Sequence, residues 1–340
     1  MKTEYLGDVL QGRQVIGSLN VEDLPVGEHQ FWFQVTSDGL GQPKNMPVSV
    51  FKGSQDGPKL MITAGIHGDE LNGVLAAQQI IRDLVGKTLK GSVTIVPTVN
   101  LSGLLNHSRD FVSSDPGSCP ANLNRLFPGD AHGLAAERFV ASLWDRLLKL
   151  NATFAVDLHT QTRGAVYPLY VFADYRIEQC LEMARLMQPD CVLNDPGDPG
   201  ILETVWNRSG IPSITVEVGM GKFTQPEMIQ RAVDGVLNML SYYEMLEVDG
   251  QHPLETKQLP SMDWIEGNNV VSIRADIGGF VLPQVELLQS VEQDDLLAIQ
   301  YDAFGNECRR YHAPSSGRVL SYNVDALREP GALVCRLLSE

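Results

Sequence analysis

The spacing of apolar residues along the chain changes character three times. Up to residue 58, two strand-like runs at 31–36 and 48–51 are separated by glycine and proline. This predicts a meander or hairpin leading into a larger sheet. From 59 onward, short β-branched runs alternate with stretches of helical period. Strands are predicted over 59–65, 92–97, 153–158, 165–172 and 211–218, and helices over 71–84, 133–150, 176–187 and 225–247. Such alternation predicts an α/β fold with a mixed, mostly parallel sheet flanked by helices. One segment interrupts it: 98–132 is rich in Gly, Pro, Ser and Asn, and a long irregular loop within a compact domain is more often functional than idle. Around 248–262 the chain turns polar and the period stops, which predicts a first domain over 1–250 and a second over 251–340. In the second, short runs at 270–274, 279–282, 297–301, 317–320 and 333–337 are separated by turn signals, as in a small all-β sandwich or barrel.

Composition narrows the class. With 340 residues, 43% of them hydrophobic, the chain can bury a full core. No apolar run approaches the length of a membrane span, so no membrane partner is expected. The first residues lack the basic and apolar regions of a signal peptide. Five scattered cysteines with no C-x-x-C pair argue against a disulfide framework and predict a cytoplasmic protein. A net charge of −16 repels phosphate backbones, which makes nucleic acid an unexpected partner.

Against that acidic background, residues suited to chemistry fall at strand ends. The run 60–65 closes in glycine and is followed by His67 and Glu70, just where a helical pattern begins. In an open α/β sheet, ligands bind at the carboxyl ends of strands. A second strand ends in Asp157-Leu-His159. Side chains alternate along a strand, so Asp157 and His159 share one face and Leu158 points into packing on the other. His67, Glu70 and His159 make up a short pair, a long spacer and one more nitrogen. This is the pattern of a catalytic zinc site, with the fourth position open, and Asp157 would orient a histidine ligand from behind. Glu217 lies between valines at another strand end, where desolvation raises a carboxyl toward the neutral pKa a general base needs. The irregular segment contributes Arg109, suited to steadying an oxyanion, and the pair Asn124-Arg125, suited to holding a carboxylate. Two arginines beside the predicted metal in so acidic a chain suggest a small anionic, acyl-amino-acid-like substrate.

The set Gly65-Ile-His67-Gly-Asp-Glu70, Asn124-Arg125-x-Phe-Pro-Gly129, Asp157-Leu-His159-Thr and Val216-Glu217-Val-Gly resembles the succinylglutamate desuccinylase/aspartoacylase family, within the larger zinc-carboxypeptidase clan. The resemblance implies a carboxypeptidase-like α/β fold, one Zn2+ per chain and hydrolysis of an amide between an acyl group and an amino acid or amine. By the same resemblance His67, Glu70 and His159 are the zinc ligands, Glu217 is the general base, Arg109 polarises the scissile carbonyl, and Asn124 with Arg125 binds a carboxylate. The chain departs from the family in carrying Asn122 where an aspartate is usual. Its C-terminal region resembles the β-barrel-sandwich module appended to predicted deacylases. Ala313-Pro-Ser-Ser-Gly-Arg-Val-Leu320 is similar to half of a biotinyl or lipoyl domain, but Tyr301–Asn306 replaces the hairpin that would carry the modified lysine. A structural, lid or homo-oligomerisation role is expected of it instead. Two alternatives stay open: a carboxypeptidase or peptidoglycan-peptide amidase of the same clan, and a non-catalytic ligand-binding or sensor protein that keeps the pocket.

Overall fold

The computed structural model describes residues 1–246 and 265–339; the expected boundary at 248–262 lies outside them. The first part opens with β1 (Glu4–Leu10), β2 (Arg13–Ser18), β3 (Gly27–Ser37), β4 (Pro43–Lys52) and β5 (Gln55–Ala64), then α1 (Leu71–Leu84) and β6 (Lys90–Val96). A short helix α2 (Leu101–Leu105) and the helix α3 (Ala135–Leu143) follow, the latter running on through a π turn at Trp144–Leu148. Next come β7 (Phe154–Gln161), β8 (Ala165–Val166), β9 (Leu169–Ala173), α4 (Glu178–Leu186), β10 (Cys191–Asn194), α5 (Leu202–Arg208), β11 (Ser213–Met220) and α6 (Pro226–Tyr242).

Eleven strands form one sheet in the order β1-β2-β3-β4-β6-β5-β7-β11-β9-β10, closed at its edge by β12 (Ile265–Gly267). The central strands β6, β5, β7 and β11 are parallel, and β9 enters antiparallel to β11. Alternation along these strands sorts side chains between two buried layers. Leu60, Ile62, Val156, Leu158, Val216 and Val218 pack toward α1, α4 and α6. Met61 and Ala155 face the other way, toward α3, its π turn and Trp206 of α5. Asp157, His159, Thr215 and Glu217 therefore face the α3/α5 side, as period two requires.

Beyond β12 the chain forms two small antiparallel sheets. One contains β13 (Asn269–Arg274), β15 (Ser290–Val291), β18 (Gly317–Asn323) and β20 (Leu333–Ser339). The other contains β14 (Gly279–Pro283), β16 (Leu296–Tyr301), β17 (Glu307–His312) and β19 (Leu327–Arg328). They enclose a core that includes Val281, Leu297, Val319 and Leu337. This unit is joined to the first by more than the polypeptide link. β8 pairs with β18, Arg336 Nη1 donates to the Tyr167 hydroxyl at 3.2 Å, and Leu320 and Leu338 share a buried cluster with Tyr167 and Tyr170. The predicted strand at 165–172 is thus two strands, broken at Tyr167-Pro168, one serving each sheet. Among the described residues no helix is long and apolar enough to cross a membrane.

The junction of α1 with β7 fixes the depth of the site. An ideal Cβ at Gly73 would lie 2.5 Å from the Leu158 carbonyl oxygen, so helix and strand meet backbone to backbone. Overpacking at such a contact costs about 1–3 kcal/mol. Gly73→Ala is therefore expected to lower the urea midpoint by a corresponding amount, and an unchanged midpoint would contradict this packing.

Candidate functional site

His67 and Glu70 sit in the turn between β5 and α1. Gly65 takes a left-handed φ of +66° there, and Gly68 presses on Gly103 of α2 so closely that a Cβ would lie 2.1 Å from its carbonyl carbon. The Gly68 N–H donates to the Arg109 carbonyl at 3.1 Å, which ties the long segment to this turn. Glu70 occupies the N-cap position of α1 but makes no capping hydrogen bond, because its carboxylate is turned into the site. His159 arrives from the end of β7.

The three side chains form one buried group whose donor atoms all lie within 4.8 Å of one another. His67 Nδ1 is 2.9 Å from Glu70 Oε1, and His159 Nδ1 is 2.9 Å from Glu70 Oε2. The outer nitrogens are held from behind. His159 Nε2 donates to Asp157 Oδ2 at 2.7 Å, and Asp157 Oδ1 in turn accepts from the Thr63 hydroxyl. His67 Nε2 donates to Asn122 Oδ1 at 3.0 Å. With both outer nitrogens donating, a neutral imidazole leaves its Nδ1 lone pair facing a carboxylate oxygen. Lone pairs on both sides repel unless a proton or a metal ion lies between them, and at His159 the contact with Glu70 is close enough for a hydrogen bond. His67 Nδ1 is accordingly buried without a hydrogen-bond partner. Two nitrogens and a carboxylate in this arrangement fit a divalent metal such as zinc.

Glu70 also accepts from the Thr160 N–H at 3.0 Å and from Arg109 Nη1. Burial works against its charge, but His67 and His159 outweigh that and hold its pKa below the ordinary range. For His159, burial opposes protonation, while Asp157 and Glu70 more than compensate and raise its pKa well above normal. Glu217 on β11 is the cross-strand neighbour of His159. Burial lifts its pKa to about 8; the charge on His159 opposes the rise, Glu70 adds to it, and Arg109 and a Gln161 hydrogen bond oppose it. Gln161 Nε2 holds Glu217 Oε1 at 2.8 Å, and Oε2 is buried with no partner.

A cavity of about 270 Å3 joins these groups, lined by His67, Arg109, Asn124, Arg125, His159 and Glu217 among others. Of the seven residues the sequence assigned as ligands, general base, oxyanion group or substrate anchors, six border it, and the seventh, Glu70, is buried in contact with His67 and His159. Two of them are engaged differently from expectation. Arg109 pairs with the Glu70 carboxylate, and Asn124 Oδ1 accepts from the Leu202 N–H at 2.9 Å, which leaves its Nδ2 for a ligand. Arg125 Nη1 donates to the Asn124 carbonyl and has no carboxylate partner among the described residues. The sequence reading missed Gln161, which the period of β7 places on the face of His159. It also missed Asp195, Asp198 and Glu203, which line the cavity as well. Glu203 is buried, with its Oε2 accepting from the Thr215 hydroxyl at 2.7 Å. Burial pushes its pKa well above the ordinary 4.5; the Thr215 bond opposes this, and the nearby acids Asp195, Asp157 and Asp174 add to it.

Comparison with known proteins shows what the chain is similar to in sequence and in fold. Residues 56–243 match the model of the succinylglutamate desuccinylase/aspartoacylase catalytic domain. The chain is 28% identical over 266 residues to an N-alpha-acetyl-L-2,4-diaminobutyric acid deacetylase of Halomonas elongata, covering 76% of this chain and 74% of that one. It is 28% identical over 239 residues to a succinylglutamate desuccinylase of Pseudomonas paraeruginosa, covering 64% and 70%. In fold it is similar to the ectoine utilization protein EutE (DoeB) of Ruegeria pomeroyi, with a TM-score of 0.80 at 21% identity over 93% of this chain and 97% of that one. A succinylglutamate desuccinylase/aspartoacylase structure from Rhodobacter sphaeroides gives 0.79 at 18% identity, covering 93% and 95%.

Two outcomes follow from the buried carboxyls. Removing the support behind a histidine ligand weakens metal binding by about 10–100-fold, so Asp157→Ala should lose that much zinc affinity in competition with a chelating dye; equal affinity would remove Asp157 from the site. Glu203 keeps its proton in the folded chain above the pH at which the unfolded chain releases it. Stability should therefore fall as pH rises from about 4.5 toward its raised folded pKa. Glu203→Gln should flatten that slope, so that its melting temperature relative to wild type rises between pH 5 and pH 8. A pH-independent difference would show that Glu203 does not titrate in this way.

Proposed function

The chain belongs to the succinylglutamate desuccinylase/aspartoacylase family, and from that premise we propose that it is a zinc-dependent amidohydrolase that removes the acyl group from an N-acyl amino acid or related amine. The observation that carries this reading is the buried His67–Glu70–His159 group sharing a cavity with Glu217, whose Oε2 has no partner. Zinc held by His67, Glu70 and His159 would polarise the acyl carbonyl and lower the pKa of water.

The remaining steps fall to side chains. Gln161 fixes one oxygen of Glu217, which leaves Oε2 to take a proton from the attacking water. A pKa lifted toward neutrality lets the same carboxyl hold that proton and deliver it to the amine nitrogen as the C–N bond breaks. Arg109, already drawn against the triad by Glu70, stabilises the negative charge that develops on the acyl oxygen. Arg125, free of any carboxylate partner among the described residues, receives a substrate carboxylate, with Asn124 Nδ2 beside it. Both curated relatives are named for deacylation of amino acids, which supports the amide class. The free state of all five cysteines supports a cytoplasmic setting.

Glu217→Gln keeps the shape of the site but cannot accept a proton. We expect it to bind zinc as wild type does and to lose about 100- to 10,000-fold in kcat, read on a panel of acetyl- and succinyl-amino acids. Full activity in the variant would overturn the assignment.

A further inference from the structure

The two histidines of the triad are held from behind by different chemistry. Behind His159 stands a carboxylate, Asp157, with one oxygen for the imidazole and the other for the Thr63 hydroxyl. Behind His67 stands an amide, Asn122, whose single acceptor atom receives two donors. Oδ1 lies 3.0 Å from His67 Nε2 and 3.0 Å from the Asn124 N–H. Asn122 is also the N-cap of the short turn Leu123–Arg125, and its backbone carbonyl accepts from the Arg125 N–H at 3.2 Å. One side chain thus touches both a proposed metal ligand and the turn that carries the proposed substrate anchors.

An amide can present either its oxygen or its NH2 to a neighbour. The Asn124 N–H decides the matter here, because a backbone N–H can only donate and so requires the oxygen. That oxygen in turn requires a proton on His67 Nε2, which leaves the Nδ1 lone pair for a metal. Were the amide turned over, its NH2 would call for a lone pair on Nε2 and move the imidazole proton to Nδ1, where it blocks a metal. A carboxylate offers oxygens on both sides and imposes no such choice. The dependence exists because residue 122 is an amide.

Resting on the deacylase reading, we infer that Asn122 is a positioning residue through which the turn carrying Asn124 and Arg125 sets the metal-binding tautomer of His67. A shift of the turn that takes the Asn124 N–H away from Oδ1 frees the amide to turn over and costs the metal a ligand. In the other direction, His67 bound to a metal through Nδ1 keeps its proton on Nε2. That proton holds Oδ1 in place and preserves the cap on the turn that presents Arg125. Metal binding and carboxylate binding therefore support each other, as linkage requires of any two coupled sites.

The test measures two quantities on the 340-residue chain and two variants: zinc affinity in competition with a chelating dye, and KM at saturating zinc on acetyl- and succinyl-amino acids. Asn122→Leu removes the acceptor at similar size. Its zinc affinity should fall about 10- to 100-fold, as for loss of a group that orients a ligand, and its KM should rise about fivefold with the loss of the cap. Asn122→Asp can accept both bonds, and it should bind zinc at least as tightly as wild type and keep the wild-type KM. That rescue separates positioning from a general structural role. Unchanged zinc affinity or unchanged KM in Asn122→Leu would overturn the inference, and so would an equal loss in Asn122→Asp. If no acyl amino acid is hydrolysed, the deacylase reading fails while the zinc titrations still decide the hold on His67. Calorimetric Kd values for the same acyl amino acids then take the place of KM, with the same outcomes upholding or overturning the link.

Discussion

The structure depends on compensating one buried negative charge. Glu70 is 2% exposed, and a carboxylate so placed is tolerable only if everything around it answers its charge. Two imidazoles, a backbone N–H and an arginine do so, and each constrains a different part of the chain. The imidazoles require β5 and β7 to end side by side. The Thr160 N–H requires β7 to run one residue past His159. Arg109 requires the long segment after β6 to fold back, which the contact of Gly68 with Gly103 and the Gly68–Arg109 bond provide. The helix α1 starts without a side-chain cap as a result, a local loss accepted for the sake of the site.

The two faces of the sheet divide the labour. Period-two alternation sends Leu158 and Val216 into the layer beneath α1 and α6 while it raises Asp157, His159, Thr215 and Glu217 on the opposite side. There the side chains fall into rows across the strands: Thr63, Asp157 and Thr215 in one, His159 and Glu217 in the next. The row nearer the strand ends carries groups suited to bond breaking. The deeper row supports them, through Thr63 on Asp157 and Thr215 on Glu203.

How much of this was legible depended on whether a signal was local. Long periodic elements such as α1, α6 and the central strands could be read, because burial on one face repeats within the element itself. The shared face of Asp157 and His159 followed from alternation alone. β1 could not be read: all seven of its residues are exposed, so it has no alternation to betray it. α5, at seven residues, is too short to show a period, and with it went Glu203. α2 lay hidden in a segment whose composition reads as loop. Asn122 was noticed as a departure from the family, but its grip on His67 arises from a contact 55 residues away in sequence, and spacing does not reveal such contacts.

The joining of β8 to β18 bears on the order in which the molecule can be made. Tyr170 is the cross-strand partner of Glu217, and it shares its buried cluster with Tyr167, Leu320 and Leu338. Chains emerge from the ribosome N-terminus first, and domains tend to fold as they appear. The large sheet can assemble while the C-terminal strands are still being synthesised, but until they arrive Tyr167 and Tyr170, the latter the neighbour of Glu217, have water where Leu320 and Leu338 belong. Completion of this wall of the cavity is thereby tied to the synthesis of β18 and β20, and a chain terminated before them carries the groups of the site on an unfinished support.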